Sequence, residues 1–259
     1  MPKLMVVVPT YNEAENLSQM VLTLLDLPID GLEVLVVDDN SPDGTGAIAD
    51  KLVEQFPGRV HVLHRAGKEG LGKAYLHGFA HALEMGADLI AQMDCDFSHP
   101  PDKLIPMVEK TADHDLVLGS RYVKGGSLDT EWGWERKLLS WWANRVYVYL
   151  ILRTKTHDAT GGYRVWNQHV LRGMNLEKIR SNGYIFQTEM CYVTEKLGYS
   201  TYEVPIHFQE RHEGTSKMTF RIQMEAALRV WQVLWRHRRL TPADRRTLPE
   251  ADAAPVEAA

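Results

Sequence analysis

The amino-acid pattern predicts an α/β fold: a mostly parallel, open sheet with helices on both faces. Apolar, β-branched runs alternate with segments of helical periodicity through the first half of the chain, an order that needs crossover connections between parallel strands. Three of those runs stop at polar clusters, Tyr11-Asn12-Glu13, Asp38-Asp39 and Asp94-Cys95-Asp96, as strands do where an open sheet meets a ligand. At 259 residues, 44% hydrophobic and 24% charged, the chain suits one sizeable core.

Taken in order, Leu4 to Pro9 reads as the first strand and Ala14 to Leu25 as the first helix. Glu33 to Val37 is a second strand that runs into Asp38-Asp39-Asn40-Ser41-Pro42-Asp43-Gly44, followed by a helix over Ala47 to Phe56. Val60 to Leu63, Leu71 to Met85 and Leu89 to Met93 follow as strand, helix and strand. A helix from Pro101 to about Lys110 leads into the strand Leu116 to Gly119 and the loop Ser120 to Gly126. Trp132 to Arg145 reads as mostly helical and holds four of the seven tryptophans. Val204 to Ile206 is a short apolar segment. Phe220, Met224, Leu228, Trp231 and Trp235 recur at spacings of three or four, an amphipathic helix within Met218 to Trp235 that leads into Arg236-His237-Arg238-Arg239. From Pro242 the chain is rich in Ala, Pro, Asp and Glu, so residues 241–259 are expected to be a disordered tail dispensable for chemistry.

This topology brings Tyr11, Asp38, Asp39, Asp94 and Asp96 to one rim of the sheet. Strand alternation puts the Asp94 and Asp96 carboxylates on one side, where hard oxygen ligands suit Mg²⁺ or Mn²⁺ and substrate phosphate and water complete the shell. The plain alternative is a pair of solvated loop acids, with Asp96 capping the next helix. His99 is a weaker candidate ligand, set against capping or packing beside Pro100. Asp38 and Asp39 are placed to accept hydrogen bonds from a base or ribose hydroxyl, whereas Asp43-Gly44-Thr45 also fits an ordinary turn and helix start. Lys68-Glu69-Gly70-Leu71-Gly72-Lys73 sets two glycines at a helix start between basic residues. Backbone N–H groups there suit an anionic oxygen, or the glycines only permit a tight loop.

Arg121, Arg136, Arg211 and Lys217 lie near Gly, Ser or Trp rather than in charge-paired helical runs. The loop Phe208 to Lys217 offers an Arg fork, a Lys, a Gly and hydroxyls to a phosphate, a solvated surface loop being the alternative. Asp158 and Glu189 are candidates for sugar hydroxyls on an acceptor side; for Glu189, a helix cap or an internal ion pair competes with that role.

Other classes are disfavoured. A formal charge of -5 argues against a general nucleic-acid binder, and neither a G-x-G-x-x-G nor a Walker A sequence is present. Cys95 and Cys191 alone make no disulfide framework and fit a reducing cytosol. The N-terminus lacks the features of a signal peptide, and the seven apolar residues Val146 to Leu152 fall far short of the ~20 that span a bilayer. Action on a membrane substrate is therefore expected from the surface. Tryptophans 132–142, mixed with Arg136, Lys137 and Arg145, fit a headgroup zone, although tryptophans more often serve cores or interfaces. Two strand-end carboxylates on a nucleotide-binding α/β unit point to group transfer from a nucleotide-sugar donor.

Six segments, as an ordered set, resemble a known family. They are Pro9-Thr10-Tyr11-Asn12-Glu13, Val37 to Thr45, Lys68 to Gly72, Met93 to Pro100, Gly119-Ser120-Arg121-Tyr122 and Arg211 to Lys217. The family is the dolichyl or polyprenyl phosphate mannosyltransferases, inverting enzymes of glycosyltransferase family 2 with the single-domain nucleotide-diphospho-sugar transferase fold, GT-A. The resemblance covers about residues 4 to 217. It implies that Pro9, Tyr11, Glu13, Val37 and Asp39 receive guanosine, with Lys68 on the same donor side, and that Asp94 and Asp96 hold Mg²⁺ or Mn²⁺ and the donor diphosphate. Arg121, Arg136, Ser140, Arg211 and Lys217 look like counterparts of residues around the acceptor or donor phosphates, Arg136 and Ser140 matching loosely. Asp94, Asp96, Arg121, Arg211 and Lys217 form the candidate catalytic set.

Many relatives carry Gln two residues after the second Asp. Here Ser98 stands there, a ligand of shorter reach that leaves room for another water. The implied reaction moves mannose from GDP-mannose to a polyprenyl monophosphate. Transfer from UDP-glucose is the close alternative, and a non-catalytic nucleotide-binding protein the distant one. The implied domain spans 1–240, with a nucleotide-binding half over about 1–120 and an acceptor-binding half over about 121–240. Many relatives have C-terminal membrane spans. This chain looks like the type without them, cytoplasmic and peripheral on the cytoplasmic face of the membrane, with a membrane-anchoring protein as a partner.

Overall fold

The computed structural model describes residues 2–128, 147–208 and 220–246. β1 (Leu4–Thr10), α1 (Leu17–Leu25), β2 (Leu32–Asp38), α2 (Thr45–Gln55), β3 (Val60–His64), α3 (Leu71–Glu84) and β4 (Leu89–Gln92) alternate as expected. A 3₁₀ turn at Pro101–Lys103 leads into α4 (Leu104–Lys110), β5 (Leu116–Ser120) and β6 (Ser127–Leu128). After residue 146 come α5 (Tyr149–Leu152), β7 (Arg164–Asn167), α6 (Gln168–Gly173) and α7 (Tyr184–Lys196). β8 (Thr201–Pro205), β9 (His207–Phe208) and α8 (Phe220–His237) follow.

The main sheet runs β3-β2-β1-β4-β7-β5-β8. β1 pairs in parallel with β2 and β4, β2 with β3, and β5 with β8, while β7 lies antiparallel between β4 and β5. β6 and β9 form a separate parallel pair. The sheet is thus mostly parallel, with one reversed strand that the sequence pattern did not predict. β7 is four residues long and begins with a charged residue, and its strand state comes from pairing on both sides.

Alternation along the strands sorts the core into two layers. Leu4, Val6, Val8, Val34 and Val36 pack with Leu17, Met20 and Leu24 of α1, Ala49 and Leu52 of α2, and Leu104 and Met107 of α4. Met5, Val7, Leu35 and Val37 pack with Ala74, Tyr75 and Phe79 of α3 and Phe186 and Met190 of α7. Burial on both faces explains why these strands read as continuous apolar runs. α3 lies close to the sheet at Gly78, where a Cβ would stand 2.5 Å from Val7 Cγ1 and 3.0 Å from Val37 Cγ2. A third cluster joins Val148 and Leu152 to Ile185 and Tyr192 of α7 and Val230 and Val233 of α8.

Two boundaries differ from the sequence reading for local reasons. α1 starts at Leu17 rather than Ala14, because Glu13 N–H donates to Thr45 Oγ1 (3.0 Å) and Ala14 N–H to Asp43 Oδ2 (3.1 Å), holding both residues in a loop. The expected tail is also corrected at its start. Pro242–Asp244 forms a 3₁₀ turn inside a Thr241/Asp244 capping box, Arg245 donates to Leu197 O (2.7 Å) and stacks on Tyr199, and Arg246 N–H donates to Gly173 O (2.9 Å). Residues 247–259, the expected helix over Trp132 to Arg145 and the loop 209–219 lie outside the described residues.

Candidate active site

The carboxyl-terminal ends of β1, β2 and β4 form one rim, and each is followed by a residue in the left-handed region: Asn12 (φ 60°), Asn40 (φ 57°) and Phe97 (φ 59°). Asparagine tolerates that conformation, whereas phenylalanine there costs on the order of 1–3 kcal/mol, the kind of strain that gathers at binding sites.

At the β1 and β2 ends, a polar lattice ties the loops together. Asp38 accepts the Thr10 hydroxyl (3.2 Å), the Ser41 hydroxyl (2.6 Å) and the Ser41 N–H (3.2 Å), and Asn12 N–H donates to Ser41 Oγ (3.1 Å). Asp39, 5% exposed, is ion-paired with the buried Arg65. Burial raises its carboxyl above the ordinary value more strongly than the Arg65 guanidinium lowers it. Arg65 also donates to His77 Nδ1 (3.2 Å) and Glu69 Oε2 (3.2 Å). Its role was missed in the sequence, where its position straight after β3 was the available signal. Lys68 Nζ sits 3.8 Å from the Tyr11 ring centroid, a cation–π contact that brings two predicted donor-side residues together. Pro9 is half-buried and pairs with Val37 across the sheet. The Val37 side chain is in the core under Gly78, so any contact it makes with a base comes from its backbone. Glu13 Oε2 accepts from Asn16 Nδ2 (3.0 Å), at the loop's exit.

At the β4 end, Cys95 turns into the core, Asp94 is half-buried and Asp96 is buried. The Cys95 side chain joins the core, and burial pushes its thiol well above the ordinary range. Asp94 Oδ1 accepts the Tyr75 hydroxyl at 2.8 Å. Asp96 Oδ1 accepts the Ser98 N–H at 3.1 Å. Ser98 therefore meets the motif through its backbone, with its side chain buried beside it. His99 Nδ1 accepts the Asp94 N–H at 3.2 Å, which puts the ring proton on Nε2. Burial lowers its pKa, and the ring packs on Tyr163 (5.2 Å) and near Phe208 (5.7 Å). With one ring nitrogen accepting and the other protonated, His99 fits the packing and capping alternative rather than metal ligation.

No cluster of three or more His, Cys, Asp or Glu side chains able to enclose a metal occurs among the described residues. The two acids nevertheless fit a hard divalent ion that shares its shell with diphosphate and water, the arrangement such ions adopt in nucleotide sites.

Arg121, at the β5 end, is gripped from one side. Its Nε and Nη2 donate to the two carboxylate oxygens of Asp158 (2.7 Å each), and Nη2 also to Thr160 Oγ1 (2.9 Å). Nη1 has no hydrogen-bond partner among the described residues. Asp158 is fully buried. Burial opposes its charge, but Arg121 outweighs it and holds the carboxyl below its ordinary value. The 155–158 loop that presents Asp158 is nucleated by two glutamates. Glu195 accepts the N–H groups of Lys155 (2.7 Å) and Thr156 (2.9 Å), and Glu203 those of His157 and Asp158 (2.9 Å each). Arg164, fully buried, braces the next turn by donating to Ala159 O (2.9 Å) and Gly161 O (3.0 Å).

Two further expectations resolve toward structure. Glu189, fully buried, accepts from Arg236, His237 Nε2 (2.6 Å) and the N–H groups of Arg180 (3.2 Å) and Ser181 (2.7 Å), so it is an internal ion-pair partner. Burial opposes its charge, but these bonds win and bring its pKa to about 2. The glycines at the start of α3 admit a neighbouring segment: a Cβ on Gly70 would stand 2.2 Å from Asn182 Nδ2 and one on Gly72 2.8 Å from Ser181 O. Gly72 N–H donates to Asn182 Oδ1 (3.1 Å), which uses a donor that the anion-cradle reading needed. Arg136, Ser140, Arg211 and Lys217 lie outside the described residues.

The sheet with its acid-ended β4 strand is the architecture of the GT-A nucleotide-diphospho-sugar transferases. A mannosyltransferase of Pyrobaculum calidifontis, in complex with GDP-Man and Mn²⁺, superposes with a TM-score of 0.63 at 20% identity, over 94% of this chain and 67% of that one. Glucosyl-3-phosphoglycerate synthase of Mycobacterium tuberculosis, in complex with Mn²⁺, UDP-glucose and phosphoglyceric acid, gives 0.62 at 16% identity, over 91% and 79%. The chain belongs to glycosyl transferase family 2, whose model matches residues 5–173. It is 43% identical over 227 residues to polyprenol monophosphomannose synthase of Mycolicibacterium smegmatis, covering 87% of this chain and 84% of that protein. It is 44% identical over 228 residues to undecaprenyl-phosphate mannosyltransferase of Micrococcus luteus, covering 88% and 92%.

Proposed function

We propose that this protein transfers mannose from GDP-mannose to a polyprenyl monophosphate with inversion, giving polyprenyl β-D-mannosyl phosphate and GDP. The observation that carries the reading is the rim itself: a base-side lattice at Asp38 and Asp39 beside a strand-end acid pair at Asp94 and Asp96. The relatives at 43–44% identity, both named for mannose transfer to a polyprenyl carrier, support mannose as the sugar and a polyprenyl carrier as the acceptor.

A phosphate monoester has its second pKa near ~6, so at neutral pH the acceptor is already a nucleophile and needs no general base. Its attack on the anomeric carbon from the face opposite the diphosphate gives inversion. Asp94 and Asp96 would hold a divalent cation, which when bound would neutralise the charge that grows on the departing diphosphate. Asp39 and Arg65 orient the base and ribose, with Tyr11 and Lys68 alongside. Arg121, set by Asp158, presents its remaining nitrogen to the acceptor or leaving phosphate, and Arg211, Lys217, Arg136 and Ser140 are assigned to the same phosphates.

Membrane approach fits the α8 end. Leu228 (66% exposed), Trp231 and Trp235 (64%) project from it, Arg238 stacks over Trp235 at 3.9 Å, and Tyr149 and Leu150 of α5 are exposed. Aromatic and aliphatic side chains with arginines suit a headgroup zone. No helix among the described residues is long and apolar enough to cross a membrane. Peripheral attachment at the cytoplasmic face, helped by a membrane-anchoring protein, completes the proposal.

The test incubates purified protein with labelled GDP-mannose, a short polyprenyl phosphate and Mg²⁺ or Mn²⁺, then repeats it with labelled UDP-glucose. Organic-extractable label from GDP-mannose alone is the expected result. Label from UDP-glucose alone, or none from either donor, overturns the assignment.

A further inference from the structure

We propose that Tyr75 is a positioning residue for Asp94, its hydroxyl pinning one carboxylate oxygen so that the other faces the donor diphosphate and its cation. The inference rests on the reading of Asp94 and Asp96 as the cation-binding acids.

Tyr75 lies in the first half of α3 and is fully buried. Its ring stacks between Phe79 (5.8 Å) and Phe186 (6.1 Å, planes 2° apart), surroundings that a phenylalanine would satisfy equally well. A hydroxyl in such a core is costly unless partnered, and its partner is Asp94 Oδ1, at 2.8 Å. The hydroxyl therefore has its reason at the rim rather than in the core.

Asp94 is held at two points. Tyr75 fixes the carboxylate and His99 Nδ1 takes the backbone N–H, so neither the peptide nor the side chain has to be ordered when a cation arrives. The platform is rigid too: α3 meets the sheet at Gly78, and Asn182 clamps its first turn through Gly72 N–H. Oδ2 of Asp94 accepts no hydrogen bond among the described residues, which leaves it for the ligand.

Partners behind a metal ligand change metal affinity by about 10–100-fold when removed. The experiment titrates Mn²⁺ into the full-length protein with GDP present, by calorimetry, for wild type, Tyr75→Phe and Asp96→Ala, and records thermal midpoints without metal. The expected result is a Tyr75→Phe dissociation constant for Mn²⁺ raised about 10–100-fold, a metal-free midpoint close to wild type, and a raised KM for Mn²⁺ at little-changed kcat. If Asp96→Ala binds Mn²⁺ like wild type, the acid-pair reading falls and this inference with it. If Asp96→Ala loses Mn²⁺ and Tyr75→Phe binds as wild type does, only the positioning role falls. Should Tyr75→Phe not fold, 3,5-difluorotyrosine at position 75 keeps ring and hydroxyl while changing donor strength. A shifted Mn²⁺ affinity then supports the role, and an unchanged one overturns it.

Discussion

The ends of β2 and β4 both carry paired acids, yet the protein treats them in opposite ways. At β2, Asp39 is buried against Arg65, an internal cation, and Asp38 is saturated by hydroxyl and backbone donors. At β4, Asp94 is half-buried and held by a neutral phenol, with no cation paired to it among the described residues, while Asp96 is buried and accepts the Ser98 N–H. A carboxylate that already has its counter-charge can shape a pocket. One steadied by a neutral donor keeps most of its charge for a visitor. Sequence alone shows two similar acid pairs, and the neighbours show that Asp39 has its counter-charge in Arg65 whereas Asp94 is steadied by a neutral hydroxyl.

The sharpest way to break this contrast is Asp96→Ala. Loss of one preorganised electrostatic contact costs about 2 to 4 kcal/mol, so mannosyl transfer should fall by ~30- to 10³-fold with the circular dichroism unchanged. Normal turnover by a folded variant would remove the β4 acids from the mechanism. Glu189 provides a third kind of acid, buried and bonded to Arg236, His237 and two backbone N–H groups. Its depressed pKa of about 2 corresponds to about 3 kcal/mol of stability. That contribution is complete above the unfolded-state value of roughly 4.3 and is lost as pH falls toward about 2. Glu189→Gln should therefore lower urea stability at neutral pH by about this amount and flatten the wild-type loss between those pH values. A variant as stable as wild type would contradict the anchor role.

Asp39→Asn tests the β2 acids. It weakens the hold on Arg65 and on a donor hydroxyl, and calorimetry should show GDP binding about tenfold weaker, roughly 1.5 kcal/mol, while the Mn²⁺ dependence stays as in wild type. A changed metal dependence would merge the two strand ends into one site and end the comparison. The smallest effect belongs to Lys68→Met. Removing the cation over Tyr11 should weaken GDP by about 0.5–1 kcal/mol, a few-fold change, and an unaltered affinity would place that contact outside the donor pocket.

The strand–helix alternation through β5, and the acids at its ends, were legible because each rests on local pattern: apolar runs, turn residues and helical spacing within about fifteen positions. What escaped lies in pairings between distant positions. Tyr75 meets Asp94 from another element, Arg65 meets Asp39 across a crossover, and Asn182 reaches Gly72 from 110 residues away. Glu203 and Glu195 were invisible as builders of the 155–158 loop because a carboxylate that collects backbone N–H groups resembles any surface acid in a one-dimensional string. Arg121 was found as an isolated cation, but the grip of Asp158 on its fork was not. For Glu189 the sequence left three roles open, and burial with four partners decided among them.

The reversed strand β7 carries a consequence for how this chain is made and cut. β5 has no partner among β1 to β4, because its two neighbours are β7 and β8. A fragment stopping near residue 120 would therefore own a stranded fifth strand and a raw edge along Ile90 and Ala91, the sort of surface that recruits other chains. On the ribosome, the sheet cannot close until Asn167 has emerged, so the earlier strands must wait, half-built, for a segment synthesised some seventy residues after the edge it seals.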